Sequence, residues 1–428
     1  MEDFMKRCGM NISAAVLGLS LAGICLAQPT YTYTAIPAPA GTQSFAARVT
    51  SDGIVRGGSG LVDAGQGIQL RQCYTYRDGI WTVLPTPSAN CYFNGASKSG
   101  DFTGVLQFPG DQATHFFRYH NGGFEMLDNL IPRTLAGFTY VAPTSMNDQG
   151  DIGGWIQIQE QKVLPPPSFA PPGAGPFYTA TIESYGFVYS DGHIRELPKL
   201  SNSPAETGLS TLGPFDYNYG ANSKGDFVGY ALLQIPANKT DPYTEHAVLW
   251  PHDGGIVDLG TVGGTWSEAN AINASGQIVG KSSVRDDEYD PTRHNIYHAF
   301  LYNNGSMKAL PVPGVYSIAT GISDHGEVVG YYYRAKDDGN VDFSVSYPFY
   351  WYPDGSADGK TVDLQALVPS LPAGTVLTGY SINSSGLILA SATLADGTST
   401  QLLLTPTEGT QQPSRERDGS ISTARQAR

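Results

Sequence analysis

Short apolar runs alternate with clusters of Gly, Asn, Asp and Pro along most of the chain, from about residue 30 to about residue 405. Within the runs, apolar and polar residues alternate at every second position, which is typical of strands that bury one face. In residues 269–284, ANAINASGQIVGKSSV, two such runs flank a turn at Gly276. The composition agrees, with 51 Gly, 29 Pro and 25 Tyr and only 15% charged residues. The pattern predicts an all-β protein of short strands and many turns.

The turn glycine recurs seven times and divides the chain into seven units of unequal length. The seven glycines are Gly53, Gly100, Gly150, Gly225, Gly276, Gly326 and Gly386. Three positions before each glycine stands a short polar residue, whose side chain is expected to bond to the backbone two residues on and hold the turn. These residues are Thr50, Ser97, Asn147, Asn222, Asn273, Ser323 and Asn383. Four positions after the turn glycine comes another glycine, replaced by Ala390 in the last unit, which suits close approach of a neighbouring strand.

Each unit continues with a third strand that ends in an aromatic residue and a fourth strand that follows a turn such as Asn303-Asn304-Gly305. Four antiparallel strands per repeat predict a propeller blade. The seventh unit stops after its third strand, whereas residues 31–39, YTYTAIPAP, are similar to a fourth strand. We therefore predict a seven-bladed β-propeller closed by an N-terminal strand completing the last blade, because closure leaves no sheet edge at the seam. The alternative, an open solenoid, would not explain the displaced strand.

The third strands carry the resemblance to a known family. His298-Ala299-Phe300 is the complete triplet of the HAF repeat of exported bacterial proteins, and His246-Ala247-Val248 and Tyr347-Pro348-Phe349 are relatives of it. The first and last units depart from the pattern, with Gln72-Cys73-Tyr74 and Gln401-Leu402-Leu403. The resemblance covers nearly the whole chain after the first 27 residues. It implies an extracellular, propeller-like protein, and it implies no activity.

The first 27 residues are typical of a signal peptide. Lys6 and Arg7 precede an apolar run, and Cys25-Leu26-Ala27 places small residues at the −3 and −1 positions. We expect cleavage after Ala27 and a secreted or periplasmic protein. The run is too short for a membrane span of ~20 residues, and no second one follows. The predicted organisation is a signal peptide at 1–27, a seven-repeat propeller at 28–407 and a disordered tail at 408–428.

Charge and cysteine content limit which binding partners and which cellular compartment we expect for the protein. The net charge of −14 argues against nucleic acid or an anionic membrane as partner, since both need a basic surface. It is compatible with metal ions, basic partners and neutral glycans, or with a simple role in solubility. Cleavage leaves two cysteines, Cys73 and Cys91, which are a disulfide candidate in an oxidising compartment. Two buried thiols are the alternative.

Candidate ligand-binding residues lie in the inserts between second and third strands, which leave a propeller on the face of the connections between blades. The inserts are residues 159–184, 234–245, 285–297 and 334–346, and the first is rich in proline. In the third, acids alternate with other residues in a pattern that calcium ligands follow, although Pro291 stands where a helix-flanked calcium loop needs glycine. Surface charge is the alternative, so no metal site is assigned. The candidate residues of this insert are Asp286, Asp287, Glu288, Tyr289, Asp290, His294 and Tyr297.

Two other sets of polar residues are interpreted as structural. His115, His246 and His298 occupy equivalent positions in separate blades, too far apart for one metal ion, and each is expected to bond to a neighbouring strand. The acids that follow four turn glycines are interpreted as solvated turn residues rather than a ring of cation ligands. They are Asp101, Asp151, Asp226 and Glu327.

The chain contains no Gly-x-Ser-x-Gly, His-Glu-x-x-His, phosphate-binding glycine loop or Cys-x-x-Cys. The favoured hypothesis is an exported, non-catalytic binding or scaffold propeller without a cofactor, with a glycan or an extracellular protein bound at the aromatic and acidic side chains of the inserts. A secreted polysaccharide hydrolase or lyase with its site at the channel mouth is the alternative, and convergence of two carboxylates in one pocket would favour it. A purely structural role in an envelope or matrix is a third hypothesis.

Overall fold

The computed structural model describes residues 29–50, 55–65, 68–77, 79–86, 89–110, 114–131, 138–164, 177–200, 207–209, 220–234, 244–284 and 296–407. These residues form seven antiparallel sheets of four strands, arranged as a seven-bladed β-propeller. The predicted signal peptide and tail lie outside the described residues.

Each blade is built from four strands in chain order, except the seventh, which takes its fourth strand from the N-terminal end. Blades 1 to 3 are β2 Thr42–Val49, β3 Val55–Asp63, β4 Gln69–Arg77, β5 Ile80–Val83; β6 Asn90–Ala96, β7 Phe102–Gln107, β8 His115–His120, β9 Gly123–Met126; β10 Phe138–Met146, β11 Ile152–Leu164, β12 Phe177–Ser190, β13 His193–Glu196. Blades 4 to 6 are β14 Thr207–Leu209, β15 Phe227–Gln234, β16 Thr244–Trp250, β17 Val257–Gly260; β18 Ser267–Ile272, β19 Ile278–Ser283, β20 Tyr297–Asn303, β21 Ser306–Ala309; β22 Tyr316–Ile322, β23 Val328–Tyr333, β24 Tyr347–Tyr352, β25 Lys360–Asp363. Blade 7 is β26 Val376–Ile382, β27 Ile388–Thr393, β28 Ser399–Pro406 and β1 Tyr31–Ile36.

The N-terminal strand β1 closes the ring, as the displaced fourth strand in the sequence predicts. It pairs antiparallel with β28, from Tyr31 opposite Pro406 to Ile36 opposite Gln401. Tyr31 is 2% exposed and packs in the core of blade 7, and Ile36 is 4% exposed. The prediction of a propeller closed by an N-terminal strand is confirmed, and we call β1 the closing strand.

In five of the repeats, the short polar residue holds its turn as expected. In blade 5, the Asn273 side-chain oxygen accepts hydrogen bonds from the backbone N–H of Ser275 and of Gln277. The same pair of bonds occurs at Asn147, Asn222, Ser323 and Asn383. Local turn chemistry therefore accounts for a short polar residue at this position.

The repeated glycine of the second strand lies opposite a β-bulge in the first strand. The register shifts between Ala269 and Ala271 in blade 5 and at the equivalent place in blades 2, 3, 6 and 7. A Cβ atom at Gly280 would lie 2.0 Å from the Glu268 carbonyl oxygen and 2.9 Å from the ring of Phe300. Gly104, Gly154 and Gly330 have the same two neighbours in their own blades, a bulge carbonyl and the third-strand phenylalanine. The Phe of the His-Ala-Phe triplet thus covers the glycine of the strand beside it.

The two faces of the ring differ in the loops they carry. The turns between first and second strands and between third and fourth strands lie on one face, which we call the turn face. The loops between second and third strands and the connections between blades lie on the other, which we call the connection face. The first insert continues β11 and β12 as a long hairpin up to Leu164 and from Phe177, and its proline-rich tip lies outside the described residues.

Cys73 and Cys91 are joined by a disulfide bond, with their Cα atoms 5.5 Å apart. Cys73 belongs to the third strand of blade 1 and Cys91 to the first strand of blade 2, and both side chains are fully buried. The bond therefore ties two neighbouring blades together.

We expect the double substitution C73A/C91A to lower the free energy of unfolding by about 3 kcal/mol, because the bond closes a loop with a sequence separation of 18 in the unfolded chain. Non-reduced peptide mass mapping should find the linked peptide, and denaturant unfolding measures the loss. A reductant should destabilise the parent protein and leave the double variant unchanged. Two free thiols in the mapping would contradict the prediction.

Candidate functional site

The axis of the propeller opens at the turn face into a cavity of about 160 Å³. Each blade contributes to its wall close to the turn before its second strand, so the inner ends of all seven blades surround the axis. The lining residues nearest the turns are Thr50, Lys98, Asp148, Ser223, Ala274, Asp324 and Ser384.

Asparagine side chains around this cavity form hydrogen bonds with the backbone of the neighbouring blade. The side-chain amide of Asn222 donates to the Asn273 carbonyl at 3.1 Å, and that of Asn273 donates to the Ser323 carbonyl at 2.9 Å. Asn383 donates in the same way to the carbonyl of Thr50 at 3.1 Å, across the seam between blades 7 and 1. One asparagine side chain thus holds its own turn through its oxygen and the next blade through its nitrogen.

Two carboxylates line the cavity, as the hydrolase or lyase alternative requires, but both are engaged in contacts between blades. Asp148 forms an ion pair with Lys98 at 3.1 Å, and Asp324 accepts a hydrogen bond from the Ala274 N–H at 2.8 Å. They come from blades 3 and 6, on well-separated parts of the ring. The arrangement therefore matches a ring of structural contacts better than an acid–base pair.

The acids that follow the turn glycines are bound to other side chains, so their interpretation as solvated turn residues is wrong. Asp101 is 5% exposed and contacts Arg118 Nη2 and His120 Nδ1, each at 2.7 Å. Asp151 accepts hydrogen bonds from Asn147 and Ser190. Each carboxylate joins the turn to the third strand or its end. Partners that lie more than a turn away in the chain cannot be identified from spacing, which is why the sequence did not reveal them.

The acid of blade 6, Glu327, belongs to a buried network that reaches the closing strand. It accepts hydrogen bonds from Ser323 and Tyr350, both at 2.8 Å, and the Tyr31 hydroxyl lies 3.3 Å from that of Tyr350. Burial opposes ionisation of Glu327, but hydrogen bonds from His325, Tyr350 and Ser323 outweigh it and lower its pKa below the ordinary 4.5. The hydrogen bond to Glu327 raises the pKa of His325 above its ordinary 6.5.

These two pKa shifts predict how the network responds to pH. The stabilisation from His325 is present below pH 6.5 and is lost as pH rises through its raised folded-state pKa. The stabilisation from Glu327 is present above pH 4.5 and is lost as pH falls through its lowered folded-state pKa. The network therefore stabilises the fold fully between pH 4.5 and pH 6.5. We expect H325Q to remove the alkaline loss alone and E327Q to remove both losses, measured as the unfolding midpoint against pH. Parallel pH profiles in all three proteins would contradict this.

Two of the repeated histidines bond to the neighbouring fourth strand or its end, as expected. His115 Nδ1 lies 3.1 Å from Asp128 and His246 Nδ1 lies 2.9 Å from Asp258. Their structural interpretation is confirmed. Within the described ranges, no three His, Cys, Asp or Glu side chains come together as metal ligands.

The connection face carries most of the exposed apolar side chains. Ten large apolar residues are exposed among the described residues, and only Ile80 and Val257 lie at the turn face. The other eight stand at strand ends or loops of the connection face: Ile68, Val83, Tyr92, Met126, Leu233, Phe343, Val345 and Val376. Among the described residues, exposed apolar side chains are therefore concentrated on the connection face and come from five of the seven blades.

Five aromatic rings form a cluster at the connection face of blades 5 and 6, which we call the aromatic band: Trp266, Tyr297, Tyr316, Tyr333 and Phe343. The last three contact one another, and most contacts in the cluster are edge-to-face. Ring centroids are separated by 4.5 Å from Trp266 to Tyr297 and by 5.6 Å from Tyr297 to Tyr316. Phe343 follows at 5.5 Å from Tyr316 and 4.9 Å from Tyr333. Four of the rings are partly exposed, and Phe343 is 49% exposed.

A charged pair lies against the first two rings of the band. Lys281 Nζ lies 3.0 Å from the Glu268 carboxylate, 5.1 Å from the centre of the Trp266 ring and 5.5 Å from that of Tyr297. Glu268 is 7% exposed. Burial, then the neighbouring tyrosines, raise the pKa of Tyr316, so its hydroxyl keeps its proton.

Of the seven candidate residues of the third insert, the structure places only Tyr297, which belongs to the aromatic band. The other six lie outside the described residues: Asp286, Asp287, Glu288, Tyr289, Asp290 and His294. Sequence reasoning missed Trp266, Tyr316, Tyr333 and Phe343. A signal for two of them was present, since Trp266 and Tyr316 stand at the start of the first strands of successive repeats.

No protein family and no curated protein matches the chain. Among solved structures, TolB from Acinetobacter baumannii is similar with a TM-score of 0.31 and 13% identity, over 79% of this chain and 60% of that one. A chain from a structural and mechanistic study of two prolyl endopeptidases is similar with a TM-score of 0.41 and 12% identity, over 89% of this chain and 51% of that one. This chain therefore spans 60% and 51% of the lengths of those two structures. No helix among the described residues is long and apolar enough to cross a membrane.

Proposed function

We propose that the protein is an exported, non-catalytic binding or scaffold propeller that holds a glycan or an extracellular protein on its connection face. The observation that carries the proposal is the distribution of exposed apolar side chains among the described residues, eight at the connection face against two at the turn face. At the turn face, three asparagine side chains around the axis form hydrogen bonds with the neighbouring blade. The connection face therefore offers more apolar surface to a ligand than the turn face does.

Export is supported by the disulfide between blades 1 and 2, which persists in an oxidising compartment, and by the predicted signal peptide. The resemblance to the HAF repeat agrees with this location. The net charge of −14 argues against nucleic acid or an anionic membrane as the ligand, because both need a basic surface.

The test compares two matched surface variants of the full chain. F343S/V345S removes exposed apolar side chains from the connection face, and I80S/V257S removes the same number from the turn face. Binding of the purified protein to intact cells of the producing organism is measured by co-sedimentation. We expect about tenfold weaker binding for the first variant and unchanged binding for the second. A larger loss in the turn-face variant, or equal binding in all three proteins, would overturn the proposal. Release of new reducing ends from the cell-surface polysaccharide would overturn its non-catalytic part.

A further inference from the structure

We infer that the aromatic band binds a neutral polysaccharide, an inference that rests on the proposed function and names the ligand of the same face. The band offers a contiguous cluster of rings from two neighbouring blades, in which neighbouring centroids lie 4.5 to 5.8 Å apart. The aliphatic C–H groups on the face of a pyranose are apolar and stack on aromatic rings, whereas its hydroxyl groups point outward at the edge. A cluster of partly exposed rings that extends over two blades fits a chain of sugars better than a single small molecule.

The polar groups beside the rings match the hydroxyl groups of a sugar. Lys281 lies over the rings of Trp266 and Tyr297 and is paired with Glu268, so that a donor and an acceptor stand at one edge of the cluster. Charged groups form stronger hydrogen bonds to hydroxyl groups than neutral groups do. The hydroxyls of Tyr316 and Tyr333 stay protonated, since burial raises the pKa of each, and they add donors within the cluster.

The charges around the band favour a neutral chain over an acidic one. Lys281 is paired with Glu268, so the two together add no net charge. The insert that carries Phe343 has two cations, Arg334 and Lys336, against three acids, Asp337, Asp338 and Asp342. With a protein charge of −14, a polyanion would be repelled.

The experiment is native gel electrophoresis of the full chain in gels that contain a soluble polysaccharide. The neutral probes are xyloglucan, galactomannan and mixed-linkage β-glucan, and the acidic probes are polygalacturonate and alginate. We expect retardation by at least one neutral probe, about tenfold weaker in F343A, and no retardation by the acidic probes. Tryptophan emission should change on binding in W81F and show no change in W266F, because Trp81 lies in the fourth strand of blade 1. Thermal unfolding of F343A and W266F checks that each variant is folded.

The outcomes separate this inference from the proposed function. Retardation by acidic probes alone, or neutral retardation that F343A and W266F leave unchanged, would overturn the neutral-polysaccharide inference. No retardation by any probe, together with cell binding that F343S/V345S abolishes, would overturn the inference and leave the proposed function standing with a protein partner.

Discussion

Deletion of residues 29–36 is expected to lower the midpoint of thermal unfolding by about 10 °C, because it removes the fourth strand of blade 7. The deletion leaves β28 unpaired along one edge and takes the buried side chains of Tyr31 and Ile36 out of the core. Truncating one large buried side chain typically costs about 3–5 kcal/mol, so loss of the whole strand should exceed that. Calorimetry or circular dichroism on the deletion variant measures the shift.

A circular rearrangement provides the matched control. Thr407 N–H donates to the Thr30 carbonyl at 2.9 Å, so the two chain segments already meet as in a hairpin. Residues 30–36 appended after Thr407 through Asn-Gly should re-form the strand from the other end of the chain. We expect the rearranged protein to regain most of the lost midpoint. An unaffected deletion variant, or no recovery on rearrangement, would show that the closing strand does not hold the ring.

Gly280→Ala is expected to cost about 3 kcal/mol, because the new Cβ would meet both the Glu268 carbonyl and the Phe300 ring. The distances of 2.0 and 2.9 Å are shorter than real Cβ contacts, and the carbonyl belongs to the backbone of the bulged strand. Denaturant unfolding of the variant gives the cost directly.

The chain supplies its own controls for this substitution. A Cβ added at Gly123 in β9 would meet no atom nearer than 3.9 Å. G123A should therefore change stability by less than about 0.5 kcal/mol. Blade 7 has Ala390 opposite Leu402 where blade 5 has Gly280 opposite Phe300. We therefore expect G280A/F300L to be less destabilised than the sum of its single substitutions. Equal costs for G280A and G123A would refute the steric explanation.

The blades could be predicted from sequence because each repeats the same local signals. Asn273 and its equivalents hold turns through bonds to residues two and four positions on, and such bonds depend only on nearby sequence. The bonds between blades could not be predicted in this way. Whether the Asn273 amide reaches the Ser323 carbonyl depends on the ring geometry that brings neighbouring blades together. The buried partners of Asp101 were missed for the same reason.

Of the five residues of the aromatic band, the sequence predicted only Tyr297. The others were missed because the band joins strand ends from two blades and a ring from an insert. Trp266 and Tyr333 are 67 positions apart in the chain, taking 333 minus 266. Their proximity follows from blade packing, which sequence spacing does not encode. The first strands of successive repeats do share an aromatic start, at Trp266 and Tyr316, and that regularity marks one face of the ring.

The pairing of the closing strand also constrains the order in which the protein can finish folding. The hydrogen bonds between Thr30 and Thr407 join residues separated by 377 positions. Residues 31–36 are synthesised first, yet their partner strand becomes available only after six other blades have been made. Contacts of such long range form slowly, and an apolar strand that waits for its partner is exposed to aggregation. Ring completion is therefore expected to be the last and slowest step of folding, because the seventh blade cannot form until the strand that ends at Pro406 is available.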